Sequence, residues 1–175
     1  MKLVTFVANG KQLVGALEGE EVVVLDIADM RSLFALGTPV QVYAEKLKTS
    51  QRYPLASVQL KAPIIPKKFF HTAGNYAEHA QEGDRANWVA AIKPWIVFFQ
   101  NVDAIIGPDA PVIYPEHLTK QLDYELELSI VIAKPGKHIS VEEAKDYIGG
   151  YVIFNDITAR DIQRREMQSA IFCLS

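Results

Sequence analysis

The segment Asp123-Tyr124-Glu125-Leu126-Glu127-Leu128 has residue types and a spacing that could do chemistry. Side chains alternate along a strand, so Glu125 and Glu127 point to one face while Leu126, Leu128 and Ile130 take the other. Adjacent carboxylates repel each other. A hard divalent cation with oxygen ligands, such as Mg²⁺, Mn²⁺ or Ca²⁺, resolves that conflict. A solvated sheet face accounts for the same pattern without a ligand. The second feature is Tyr151-Val152-Ile153-Phe154-Asn155-Asp156, an apolar strand ending in a carboxylate. Binding residues collect where strands end, but Asp is also a favoured helix N-cap, and a helical pattern starts near Thr158. Together, Glu125, Glu127 and Asp156 would make a three-carboxylate metal site with positions left for water and substrate.

The third feature is Asn75-Tyr76-Ala77-Glu78-His79-Ala80-Gln81-Glu82. On a helix His79 and Glu82 are neighbours on one face. A carboxylate beside an imidazole fixes its tautomer and raises its basicity, as a general base requires. Most such pairs are exposed surface contacts worth little, and Gly74 and Asn75 could serve only as turn residues. The chain has no G-x-S-x-G, G-x-x-x-x-G-K-[ST] or G-x-G-x-x-G motif. His71, His117 and His138 are scattered, and His117 reads as a loop residue. Arg160, Arg164 and Arg165 form a short basic run of the kind that usually marks a solvated helix face.

These residues need a scaffold, and 175 residues are enough for a buried core. Hydrophobic residues make up 49% and charged residues 22%, which excludes disordered and low-complexity classes. The net charge of −3 gives no electrostatic footprint for nucleic acid. The single cysteine, Cys173, excludes an internal disulfide and a Cys-based zinc site, and fits a reducing cytoplasm. The N-terminal apolar run stops at Asn9-Gly10, too early for a signal-peptide core, and no stretch is long enough to span a bilayer. A soluble cytoplasmic protein without membrane or nucleic-acid partners is expected.

The pattern predicts strands over Lys2 to Val7, Gln12 to Leu17 and Glu21 to Asp26, joined by Asn9-Gly10 and Gly19-Glu20 turns. Helices are predicted over Asp26 to Leu36 and Val40 to Lys48, and a strand over 57–61. Pro63 and Pro66 suggest a domain boundary near 62. Beyond it come strands over Phe69 to Gly74, Pro94 to Gln100, Asp123 to Ala133 and Tyr151 to Asn155. A helix is expected over Asn75 to Glu82, and Thr158 to Gln168 reads as an amphipathic one. A third, over Val141 to Tyr147, is opened by a Ser140–Glu143 capping box.

The order of the motifs resembles the fumarylacetoacetate hydrolase family. The resemblance rests on Gly74-Asn75-Tyr76-x-x-His79-x-x-Glu82, Asp123-Tyr124-Glu125-x-Glu127-Leu128, and Gly149-Gly150-Tyr151 followed by Asn155-Asp156-Ile157-Thr158-Ala159-Arg160-Asp161-x-Gln163. It runs from about residue 63 to 175. It implies an α+β, mainly β fold: a mixed β-sandwich roll as catalytic domain (63–175), preceded by a small N-terminal β-rich domain (1–62). It implies Mg²⁺ or Mn²⁺, sometimes Ca²⁺, on Glu125, Glu127 and Asp156. His79 and Glu82 would activate water, and Asn75, Tyr76, Arg160 and Gln163 would line the substrate site. Members hydrolyse carbon–carbon bonds in small 2-oxo or 1,3-dicarbonyl acids, or decarboxylate or isomerise them, commonly in aromatic catabolism, and many are homodimers.

Two departures from the family pattern stand out. Gln100 occupies a place where members often carry lysine, which bears on substrate choice. Members also continue past the position of Ser175 into further core strands. A catalytic domain incomplete at its C-terminus is therefore expected, associating with the missing segment or with a second protomer. The alternative to an active hydrolase is a catalytically incomplete metal-binding fragment.

Overall fold

The computed structural model describes residues 1–72 and 97–168. Most of the regular structure is strand, and the fold is of the mixed α+β class. Two compact units are present. The first comprises Met1–Ile65, Ile105–Tyr114 and Tyr124–Ile157; the second comprises Pro66–Ala104, Pro115–Asp123 and Thr158–Ser175.

In the first unit, β1 (Lys2–Ala8), β2 (Lys11–Glu18) and β3 (Glu21–Leu25) form an antiparallel meander. Asn9 and Gly10 take φ of 49° and 73°, the left-handed pair that a two-residue turn requires if its twist is to match the strands. β4 (Lys48–Pro54) and β5 (Gln59–Lys61) complete a sheet in the order β4-β3-β2-β1-β5. β4 is an addition to the predicted elements. Its sequence, Lys-Thr-Ser-Gln-Arg-Tyr-Pro, has no apolar alternation because it lies at the sheet edge, where polar side chains and Pro are tolerated. Lys48 and Arg52 anchor it by pairing with Glu18 at 2.7 and 2.9 Å.

Both faces of the sheet are covered. Phe6, Ala8, Val22 and Val24 form one core cluster. Val14, Ala16 and Leu25 form the other with α1 (Met30–Phe34) and α2 (Val40–Lys46). α1 starts later than predicted because Asp29 is its N-cap, its side chain accepting from the Ser32 N–H at 2.8 Å. α2 ends at Lys46 because Lys48 already pairs with β3.

The second core cluster also takes in Ala133 and, at its margin, Val131 from the strand pair of β8 (Leu122–Ile132) and β9 (Ile148–Ala159). These strands run antiparallel: Ala133 N–H donates to Tyr147 O at 2.9 Å and Arg160 N–H to Gln121 O at 2.8 Å. Between those bonds β9 has one residue more than β8, so it must bulge. Exposure alternates cleanly from Tyr151 to Asp156, which leaves Gly149-Gly150 as the place for the extra residue. A Cβ on Gly149 would stand 2.6 Å from Ala133 Cβ and 2.7 Å from Phe34 Cδ1, so only glycine fits against that ring.

The helix predicted over Val141 to Tyr147 is reduced to one 3-10 turn at Ala144–Tyr147. The Ser140–Glu143 box forms, with Glu143 N–H donating to Ser140 Oγ at 3.2 Å. Residues 140–146 are exposed, however, and without a buried face a cap alone does not sustain a helix.

The second unit contains the paired strands β6 (Phe69–Thr72) and β7 (Val97–Gln100), and α3 (Arg160–Gln168). α3 begins two residues later than predicted because Thr158 and Ala159 still belong to β9. Among the described residues, no helix is long and apolar enough to cross a membrane.

Candidate active site

Glu125 and Glu127 lie on one face of β8, as the period of two requires, and both are half-buried. The opposite face is the open one: Leu126, Leu128 and Ile130 are 73%, 57% and 52% exposed. The usual order of polar outside and apolar inside is thus reversed along this strand. Asp156 lies within β9, not at a helix start, so the capping reading gives way to a strand carboxylate. It is 8% exposed and shares its face with Val152 and Phe154. Glu125 lies four residues beyond Gln121 on β8, and Asp156 four residues before Arg160 on β9. Counted from the bond joining Arg160 and Gln121, the two carboxylates therefore face each other across the ladder, with Glu127 one pleat further on.

Three carboxylates give an all-oxygen donor set, the chemistry that suits Mg²⁺, Mn²⁺ or Ca²⁺. Among the described residues, no three Asp, Glu, His or Cys side chains are gathered closely enough to hold an ion as they stand. Cross-strand neighbours on one face have Cβ atoms roughly 5 Å apart. The three residues fit a hard cation in donor type and in shared face.

Arg160, the first residue of α3, is held from two sides in the second unit. Its Nε donates to Asp123 Oδ2 at 2.9 Å and its Nη1 to Gln163 Oε1 at 3.1 Å. Gln163 thus directs its carbonyl at Arg160. Asp161 ties down the preceding loop, accepting from the Thr119 hydroxyl at 2.5 Å and from the Lys120 N–H at 3.0 Å. Those bonds hold its carboxyl below the usual Asp range, Thr119 first. Arg164 and Arg165 are exposed, as the solvated-face reading expects, whereas Arg160 is not.

His79, Glu82, Asn75 and Tyr76 lie outside the described residues. Gln100 ends β7 opposite Phe69, and His117 is an exposed loop residue. Sequence reasoning gave no role to Asp123, Thr119 or Asp161. Asp123 could have been found, because it precedes Glu125 by two and so shares its face.

Residues 68–174 match the family described as Fumarylacetoacetate (FAA) hydrolase C-terminal, and residues 1–63 match Rv2993c-like, N-terminal. The chain is 35% identical over 183 residues to the fumarylacetoacetate hydrolase domain-containing protein 2 homolog of Dictyostelium discoideum, covering 97% of this chain and 58% of that protein. It is 44% identical over 119 residues to the oxaloacetate tautomerase YisK of Bacillus subtilis, covering 66% of this chain and 38% of that one. The solved fumarylacetoacetate hydrolase of Exiguobacterium antarcticum superposes with a TM-score of 0.75 at 29% identity, over 95% of this chain and 59% of its own. The chain thus spans less than two thirds of the length of these relatives. With matching motifs, a matching fold and a family match across most of its length, it belongs to the fumarylacetoacetate hydrolase family.

Proposed function

We propose that the chain carries the metal-binding part of an enzyme that cleaves a carbon–carbon bond in a small 2-oxo or 1,3-dicarbonyl acid, such as an acylpyruvate. The observation that carries this reading is the placement of Glu125, Glu127 and Asp156 on one sheltered face of the β8–β9 pair. These three residues would hold a divalent Mg²⁺ or Mn²⁺ ion. Bound there, the ion would polarise substrate oxygens and stabilise developing negative charge. His79, with Glu82 fixing its tautomer, would take a proton from water, whose oxygen attacks the carbonyl carbon. As the carbon–carbon bond breaks, its electron pair stays on the departing carbon, which then takes up a proton. Arg160 would hold the substrate carboxylate, with Gln163, Asn75 and Tyr76 lining the site.

A second reading is tautomerisation of a 2-oxo acid. It is supported by the name of the Bacillus subtilis relative, an oxaloacetate tautomerase. It needs a base to move a proton between a carbon and an oxygen of the substrate, with no attacking water and no carbon–carbon bond broken.

Calorimetric titration with Mn²⁺ tests the metal, and the enol absorbance of acetylpyruvate against that of oxaloacetate tests the reaction. Glu125→Ala should weaken Mn²⁺ binding by at least about tenfold. His79→Ala should slow turnover on the order of 10²–10⁴-fold with Mn²⁺ affinity nearly unchanged. Unchanged Mn²⁺ affinity in Glu125→Ala would sink the metal assignment. Loss of enol from oxaloacetate without cleavage of acetylpyruvate would favour the tautomerase.

A further inference from the structure

We infer that the N-terminal sheet carries a binding cleft for a small organic monocarboxylate, an anionic head on an apolar body. The cleft lies between the start of α1, the end of β5 and the loop 105–110, all within the first unit. Its volume is about 570 Å³, in the range usual for small-molecule sites. Glu125, Glu127 and Asp156 do not line it, so the inference is independent of the reaction proposed above. The sheet register builds the floor. Thr5 pairs with Val14 on β2 and with Lys61 on β5, and Val7 pairs with Gln12. Side chains directly opposite one another share a face. Thr5, Gln12 and Lys61 therefore project to the face on which Val14 packs against α1. Asp29, Met30 and Arg31 form the wall at the start of that helix.

The walls are fixed by contacts that need no ligand. The Thr5 hydroxyl donates to Pro63 O at 2.7 Å and holds the chain leaving β5 against β1. Gly107 lets the facing loop press onto the β5 backbone, since a Cβ there would stand 2.8 Å from Ala62 N and from Lys61 Cα. Asp29 accepts from the Ser32 N–H at 2.8 Å, which anchors the wall that carries Arg31. The lining then selects the ligand. Met30, Ile64, Ile65, Ile105 and Ile106 offer apolar surface, and Ile65 and Ile106 are 41% and 52% exposed. Arg31 and Lys61 are opposed by Asp29 alone, which leaves one net positive charge. The Lys61 ammonium has no ion-pair partner among the described residues. A dianion such as phosphate exceeds that charge and leaves the isoleucines facing water. A neutral apolar body leaves the cations unanswered. A monocarboxylate with an apolar body satisfies both parts of the lining.

The test uses phenylacetate, titrated into the full chain in metal-free buffer with EDTA and followed by the isoleucine methyl resonances. The methyls of Ile64, Ile65, Ile105 and Ile106 should shift together and saturate, with a Kd of about 1 mM or below. The alcohol 2-phenylethanol keeps the ring without the charge and should bind on the order of tenfold more weakly. Lys61→Gln should weaken phenylacetate by a similar factor, and raised salt should weaken it further in the unaltered chain. Arg31 is exposed, so Arg31→Gln leaves the packing intact and keeps the test open should Lys61→Gln disturb β5. Equal affinity for the acid and the alcohol would overturn the choice of ligand. Unchanged phenylacetate affinity in Arg31→Gln and in a folded Lys61→Gln would overturn the roles of the two cations. Shifts that do not saturate, or that miss these four isoleucines, would overturn the site itself.

Discussion

Asp161 uses both carboxylate oxygens to hold the loop before β8, through the Thr119 hydroxyl and the Lys120 N–H. These bonds favour the ionised form and depress its pKa. A carboxyl depressed on folding adds stability that is complete above its unfolded-state pKa. That stability is lost as pH falls through the folded-state value. Thr119 is almost fully buried, so Thr119→Val removes the largest cause of the shift at nearly constant volume. The Asp161 pKa should then rise towards that of an ordinary Asp, and the acid limb of the stability curve should begin at higher pH. Carboxyl-carbon NMR titration alongside thermal unfolding at several pH values checks both outcomes. An unmoved Asp161 pKa would mean that backbone amides, those of Lys120 and Ile162 among them, set it.

At the scale of the element, β9 depends on the missing side chain of Gly149. A methyl group there would meet Ala133 Cβ and the Phe34 ring inside ordinary contact distance. Gly149→Ala should therefore destabilise the chain by about 1–3 kcal/mol, the usual cost of overpacking. Adding Phe34→Leu should recover part of that loss, and urea unfolding of the single and double variants measures it. The elements that were legible in the sequence are those whose side chains alternate against a core. The meander of β1 to β3, and the shared face of Glu125 and Glu127, follow from period two and the Asn9-Gly10 turn. β4 was not legible, because an edge strand held by its backbone ladder and by Lys48 and Arg52 needs no apolar alternation. The place of Asp156 was ambiguous because Asp suits a helix cap as well as a strand face. The bond from Arg160 N–H to Gln121 O, a contact distant in sequence, extends the strand past it.

At the scale of the molecule, the apolar face of β8 and β9 departs from ordinary surfaces among the described residues. Tyr124, Leu126, Leu128, Ile130 and Ile132 are exposed together with Tyr151 and Ile153, on the side away from the carboxylates. Contiguous apolar surface of this kind drives association. The chain by itself is expected to self-associate with rising concentration, and Leu126→Lys with Ile153→Lys should reduce that association. Sedimentation velocity at several concentrations decides it, and a single monomer boundary for the unaltered chain throughout would count against the expectation.

The contact of Phe34 with Gly149 also bears on the order in which the protein is made. More than a hundred residues separate the two. At typical rates of about 5–20 residues per second, Phe34 leaves the ribosome several seconds or more before Gly149 is added. The strands β1 to β3 need only two-residue turns to close, and Phe6, Ala8, Val22 and Val24 form a core from within that segment. Translation thus gives the N-terminal sheet time to form first, so that β8 and β9, with their carboxylates, emerge onto a surface that is already folded.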